Sequence, residues 1–154
     1  MSDEAANATE RLARRHLRFG WSAVLVFAVL GLTLETLHGF KVRAYLDVSS
    51  ESRRLMWTLA HAHGTLLGIV NVVYGLTLAA FTDRSPRTIE SRGLMVAAVL
   101  LPAGFFLGGV NPYGGDPGLG ILLVPVGALL LIAGLAHLVL RAGPPASDGR
   151  RAKR

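Results

Sequence analysis

Residues 55–81 read LMWTLAHAHGTLLGIVNVVYGLTLAAF, and this stretch decides the fold because it contains no Asp, Glu, Lys or Arg. A helix needs roughly 20 apolar residues to cross a hydrocarbon core of about 30 Å. Three further stretches are of that kind, at approximately 21–40, 93–110 and 118–140. Their apolar residues are continuous, which is typical of membrane helices and not of the alternating strands of a barrel. We therefore predict an all-α, integral membrane four-helix bundle over residues 20–141.

The composition of the whole chain agrees with this class. Of its 154 residues, 51% are hydrophobic and 17% are charged, and the mean hydropathy is +0.45, far from the balance of a water-soluble domain. The chain has no cysteine, which excludes disulfides, thiolate metal sites and iron–sulfur clusters. A bound metal would therefore need histidine or oxygen ligands.

Basic residues are distributed unevenly between the two sides of the predicted bundle. Twelve of the sixteen Lys and Arg lie before the first span, between the second and third, or after the fourth. By the positive-inside rule we expect both termini to be cytoplasmic, in a bacterial-type inner or plasma membrane. Because these charges are dispersed around the spans, they favour contact with the lipid bilayer and not with nucleic acid.

The segments outside the spans also have predictable features. We expect residues 1–19 to be a basic cytoplasmic leader. Within it, residues 11–19, RLARRHLRF, have the pattern of an amphipathic stretch along the membrane interface, and no chemical role is assigned to His16. Residues 41–54 predict a short interfacial helix or cap, and residues 111–118, NPYGGDPG, predict a compact turn. Residues 142–154 predict a disordered basic tail.

The polar residues of the second span divide between two faces of its helix. Positions three, four or seven apart share a face, and this spacing places on one stripe His61, Gly64, Gly68, Asn71 and Gly75. His63 lies about 200° around the helix from His61, so the two rings cannot bind one ion. We expect His61 to face the interior of the bundle and Asn71 to make an interhelical hydrogen bond.

The first span carries Gly31, Glu35 and His38 on one face, with an E-x-x-H unit of the spacing found in di-iron bundles. Counted at about 1.5 Å per residue from the outer ends of the spans, Glu35 and His38 lie at a similar depth to His61 and His63. We therefore predict a polar pocket near the outer side. His137 lies near the inner end of the fourth span, where an interfacial anchor is its simplest role.

A b-type haem between helices needs two neutral imidazoles at one depth and small residues beside the macrocycle. The predicted haem ligands are His38 together with His61 or His63. Space for the macrocycle would come from Gly31, Gly64 and Gly68. Glu35 and Asn71 are predicted to lie next to the ligands and support them. A second hypothesis is a membrane enzyme with a single zinc, iron or copper ion held by Glu35, His38 and His61. The third is a non-catalytic membrane subunit or assembly factor whose histidines fix helix register.

Residues 53–75, RRLMWTLAHAHGTLLGIVNVVYG, resemble the helix that carries a low-spin haem ligand in the catalytic subunits of haem-copper oxidases and nitric-oxide reductases. The shared features are upstream basic residues, an early histidine and a later asparagine. The resemblance implies a haem-ligand role for His61 or His63. Those subunits have many more spans and further histidines, so it does not extend to oxygen or nitric-oxide reduction, and no enzyme activity is assigned.

On these grounds we predict haem-dependent electron transfer or a related redox role. Such a role implies a redox partner or a larger membrane complex. The glycines on all four predicted helices also leave faces on which a homo-oligomer could form.

Overall fold

The computed structural model of the protein describes residues 3–47, 51–80 and 88–141. Within these ranges the α-helices are α1 (Asp3–Gly39), α2 (Arg43–Leu46), α3 (Glu51–Ala80), α4 (Thr88–Val110) and α5 (Leu123–Arg141), and a 3-10 turn at Leu119–Leu122 precedes α5. The four long helices α1, α3, α4 and α5 are each long and apolar enough to cross a membrane. The predicted all-α architecture with four such helices is confirmed.

The four long helices pack as a series, with α1 on α3, α3 on α4 and α4 on α5. The apolar windows of α3 and α4 are 44% and 50% buried, whereas those of α1 and α5 are each 11% buried. The two central helices therefore form the core, and the two flanking helices expose large apolar side chains such as Leu25 and Leu129. Exposed apolar surfaces this extensive mark contact with a membrane or with other proteins.

Glycines on both helices permit the close contact between α1 and α3. A Cβ atom at Gly20 would lie 2.6 Å from the carbonyl oxygen of Gly68, and one at Gly68 would lie 3.0 Å from that of Gly20. The backbones therefore touch, as small residues allow in membrane helices. The predicted glycine stripe of α3 does face its neighbours, since Gly64, Gly68 and Gly75 are all buried.

The two ends of the bundle are named by what they hold. The basic end is where α4 begins and α5 ends, and the loop end is where α2 and the turn at 111–118 lie. At the loop end Trp57 stacks on Phe106 with ring centroids 5.7 Å apart. The side chain of Arg53 donates a hydrogen bond to the carbonyl oxygen of Gly109 at 3.1 Å.

At the loop end the predicted short helix and the predicted compact turn are both present in the described residues, and the interfacial position of the helix stays a prediction. Residues 43–46 form the short helix α2, in which Tyr45 is buried. In the compact turn the amide of Tyr113 donates to the carbonyl oxygen of Asp116 at 3.0 Å. Gly114 and Gly115 have φ angles of +59° and +92°, a region of backbone conformation that favours glycine.

Helix boundaries at the basic end differ from the prediction. Residues 11–19 do not form a separate interfacial stretch, because α1 is continuous from Asp3 and His16 is completely buried. Thr9, Ala13 and His16 precede Gly20 at spacings of four and three, so the face of α1 that packs on α3 continues into the predicted leader. Likewise α4 begins at Thr88, ahead of the predicted span. The predicted tail, residues 142–154, lies outside the described residues.

Candidate functional site: a polar cluster joining four helices

His16 of α1 connects three helices through its two ring nitrogens. Its Nδ1 lies 2.8 Å from Oδ1 of Asn71 on α3, and its Nε2 lies 2.8 Å from Oγ of Ser91 on α4. Since an amide oxygen can only accept, Nδ1 donates, and in a neutral ring Nε2 then accepts from the serine hydroxyl. The amide nitrogen of Asn71 donates to the carbonyl oxygen of Leu67 at 2.8 Å. Both nitrogens of this buried ring are therefore occupied.

Glu90, in the first turn of α4, is the acceptor for three further side chains. His137 Nδ1 donates to Oε1 at 2.7 Å, and Arg141 Nη1 donates to the same oxygen at 3.2 Å. The Tyr74 hydroxyl donates to Oε2 at 3.3 Å. Only 2% of Glu90 is exposed, so its charge is stabilised by these donors and not by water. Its place near the N-terminus of α4 also favours a negative charge.

Tyr74 joins the two groups into one. Its ring meets the ring of His16 edge to face, with centroids 4.6 Å apart and an interplanar angle of 72°. Glu90 and Ser91 are also neighbours in sequence. We call this set the basic-end cluster, and its members, drawn from all four long helices, are His16, Asn71, Tyr74, Glu90, Ser91, His137 and Arg141. The predicted interhelical hydrogen bond of Asn71 is confirmed, and His137 is a hydrogen-bond partner of Glu90 and not a free interfacial anchor.

The histidines of the second predicted span contact two different helices. His61 Nδ1 donates to the carbonyl oxygen of Phe27 on α1 at 2.7 Å. His63 Nδ1 donates within α3 to the carbonyl oxygen of Leu59 at 2.9 Å, and its ring lies 4.7 Å from that of Phe105 on α4. The rings therefore point to opposite neighbours, as their angular separation predicts.

The structure does not bring together the groups of the predicted outer pocket. Glu35 and His38 are exposed, whereas His61 lies against Gly31. His38 is seven residues beyond Gly31, which is about 10 Å along the axis of α1. In residues 3–47, 51–80 and 88–141, no three His, Asp or Glu side chains converge as a metal would require. The depths differ from the prediction because α3 begins at Glu51, ahead of the predicted span, and pairs with α1 in another register.

The space expected beside a macrocycle is already filled by protein. The ring of His61 occupies the space at Gly31, the ring of Phe27 occupies that at Gly64, and the backbone of α1 at Gly20 and Val24 lies against Gly68. Close packing by these glycines is therefore present, but they serve the contact between α1 and α3. His38 with His61 does not fit a haem in this arrangement.

Glu90 and Ser91 were not expected at the site, and neither was His16. The apolar run of the third span begins after them, so hydropathy places them in a loop. The signal for His16 is its phase: it lies four residues before Gly20 and on the packing face of α1. The sequence signal for Glu90 is weaker, because no residue pattern around Glu90 indicates that His137 is its hydrogen-bond partner.

No protein-family model, curated protein or solved structure matches this chain. Its class therefore rests on the fold and the cluster. It is a helical protein with four helices long and apolar enough to cross a membrane, joined at one end by buried polar side chains.

Proposed function

We propose that this chain is a four-span integral membrane protein of the non-catalytic kind, a subunit or assembly factor whose polar side chains hold its helices in register. The observation that carries the proposal is the basic-end cluster. Its hydrogen bonds run between helices, and they occupy both ring nitrogens of His16 and both carboxylate oxygens of Glu90. The predicted haem pocket has no comparable set of contacts.

Physical chemistry supports a structural role for these bonds. Lipid tails are as apolar as leucine, so helices in a bilayer associate through close packing and interhelical hydrogen bonds. Gly20 with Gly68 supplies the packing between α1 and α3. His16 with Asn71 and Ser91, and Glu90 with His137, supply the bonds.

The orientation follows from charge. Arg14, Arg15, Arg18 and Arg92 lie around the basic end, and most of the remaining Lys and Arg are in the segments that adjoin it. We place this end at the cytoplasmic face by the positive-inside rule. Glu90 and His16 then lie near the cytoplasmic membrane boundary.

Haem binding stays a prediction, and its best remaining candidate is His61. The Nδ1 atom of His61 donates to the Phe27 carbonyl, and metal-ligating histidines commonly make such a bond because it fixes the ring and leaves Nε2 for the metal. The second ligand is what is missing, since His38 lies about two helical turns away along α1.

The test is an absorption spectrum, oxidised and reduced, of detergent-purified protein with metal analysis of the same sample. The proposal predicts no Soret band and no stoichiometric metal, both in the parent chain and in the His61→Ala variant. A Soret band that disappears in His61→Ala but persists in His137→Ala would overturn it in favour of haem.

A further inference from the structure

An apolar groove runs along the bundle between α1 and α4, which both pack on α3. It has a volume of about 530 Å³ and is lined from α1 and α4 by Phe19, Ala23, Leu30, Ala98, Pro102 and Phe106, among others. Small side chains and the buried Pro102 ring form its recess. Val26 and Val99 on its rims are 60% and 51% exposed, so the groove opens to the surroundings of the bundle.

The length of the groove matches one leaflet of a bilayer. Its lining on α1 runs from Phe19 to Leu30, which is about 16 Å at 1.5 Å per residue. The hydrocarbon core of a bilayer is about 30 Å thick, so the groove spans roughly half of it. On α4 the lining runs from Ala98 to Phe106, so an acyl chain whose headgroup lies at the basic end would follow the groove across the middle of the bundle.

Positive charge lies at the basic end of this groove. Arg15 lines an adjoining recess together with Phe19 and Val99, which also line the groove. Arg92 is seven residues before Val99 and therefore on the same face of α4. Both arginines are exposed, and neither forms an ion pair with any residue in the described ranges. Glu90, the nearest acidic residue on α4, is already paired with His137 and Arg141.

We propose that the groove binds one anionic phospholipid, with an acyl chain between α1 and α4 and the phosphate held by Arg15 and Arg92. Basic sites between membrane helices on the cytoplasmic side bind acidic headgroups in this way. The site rests on the membrane insertion proposed above. It is independent of the role of the histidines, so the absorption spectrum and the lipid measurement can fail separately.

The experiment is native mass spectrometry of the delipidated full chain in detergent, titrated with phosphatidylglycerol or with phosphatidylcholine of the same acyl chains. We expect the first phosphatidylglycerol to bind at least about fivefold more tightly, the gain that one basic residue provides with a lipid whose phosphate charge is not balanced by choline. The double variant Arg15→Gln/Arg92→Gln should lose this preference. The control Lys41→Gln/Arg43→Gln, which removes two exposed charges at the loop end, should keep it.

A second pair of variants tests the groove. Ala23→Phe fills it and should weaken the binding of both lipids, whereas Ala28→Phe, on an exposed face of α1 away from the groove, should not. Equal binding of the two lipids by the parent chain would overturn the proposal, as would an unchanged preference in the arginine double variant. A dimer that Ala23→Phe dissociates would assign the groove to a second copy of the chain instead. If Ala23→Phe does not fold, the arginine variants alone decide.

Discussion

Polar side chains behave differently at the two ends of this bundle. At the basic end, side chains of four helices bond to one another, and His16 and Glu90 are almost wholly enclosed. Towards the loop end, His61 and His63 bond to backbone carbonyls, while Glu35 and His38 are exposed. The conspicuous His-Ala-His motif therefore makes fewer side-chain bonds between helices than the less conspicuous polar residues of the basic end. The following variants test this difference between the two ends, from the largest expected loss in the free energy of unfolding to the smallest.

The largest effect is expected for Glu90→Ala. His137, Arg141 and Tyr74 would each lose a hydrogen bond to the Glu90 carboxylate, and removing one partner of a buried pair costs about 3 kcal/mol at the lower end of the measured range. The lower end applies because the side chains of His137 and Arg141 are 26% and 29% exposed. Unfolding in mild detergent by titration with sodium dodecyl sulfate measures the loss. Glu35→Ala, an exposed carboxylate on α1, is the control and should be near neutral; similar losses for both would contradict the account.

His16→Ala comes next, with an expected loss of about 2 kcal/mol in the free energy of unfolding. The change leaves the oxygen of Asn71 and the hydroxyl of Ser91 buried without their partner, and each unsatisfied group is costly. The same detergent titration measures it, and His38→Ala on the same helix is the matched control. An equal loss of stability in His38→Ala would contradict the special role of His16.

Gly20→Ala should cost about 1–2 kcal/mol, because the new Cβ would lie 2.6 Å from the Gly68 carbonyl oxygen and must push α1 and α3 apart. Gly39→Ala is a control with no atom within 4 Å of the added Cβ. Here the useful readout is the midpoint of unfolding for the two variants side by side. A Gly20→Ala protein as stable as Gly39→Ala would show that the two backbones do not touch.

The smallest effect is expected for His61→Ala, which removes one hydrogen bond to a backbone carbonyl and should cost about 1 kcal/mol. His61→Gln, which keeps a donor, should recover part of the loss. A loss as large as that of Glu90→Ala would instead point to a bound group at His61.

Much of the fold is predictable from the sequence for a simple reason. Apolar length and glycine spacing act within single helices, and residues 55–81 contain both. The starts of α1 and α4 are harder, because hydropathy falls at Arg18 and Arg92 while the helices continue past them. A helix that extends beyond the apolar core is stabilised by the residues on the face that packs against its neighbour, and mean hydropathy does not detect that face.

The site was harder to predict than the fold. Helical spacing states which residues share a face, as with Gly31, Glu35 and His38, but not which residue of the neighbouring helix lies opposite. That register is set by contacts such as Gly31 with His61 and Gly20 with Gly68, which only the packed structure provides. α3 begins four residues earlier than predicted, which moves His61 by about one helical turn along α1, away from His38 and towards Gly31.

The most direct measurement of the central claim is a pair of double-mutant cycles by detergent unfolding, one for His16 with Ser91 and one for His38 with His61. The account predicts a coupling of about 1 kcal/mol between His16→Ala and Ser91→Ala, because these side chains share a buried hydrogen bond. It predicts that His38→Ala and His61→Ala add within about 0.5 kcal/mol, as separated sites do. Additive losses in the first cycle together with strong coupling in the second would contradict it.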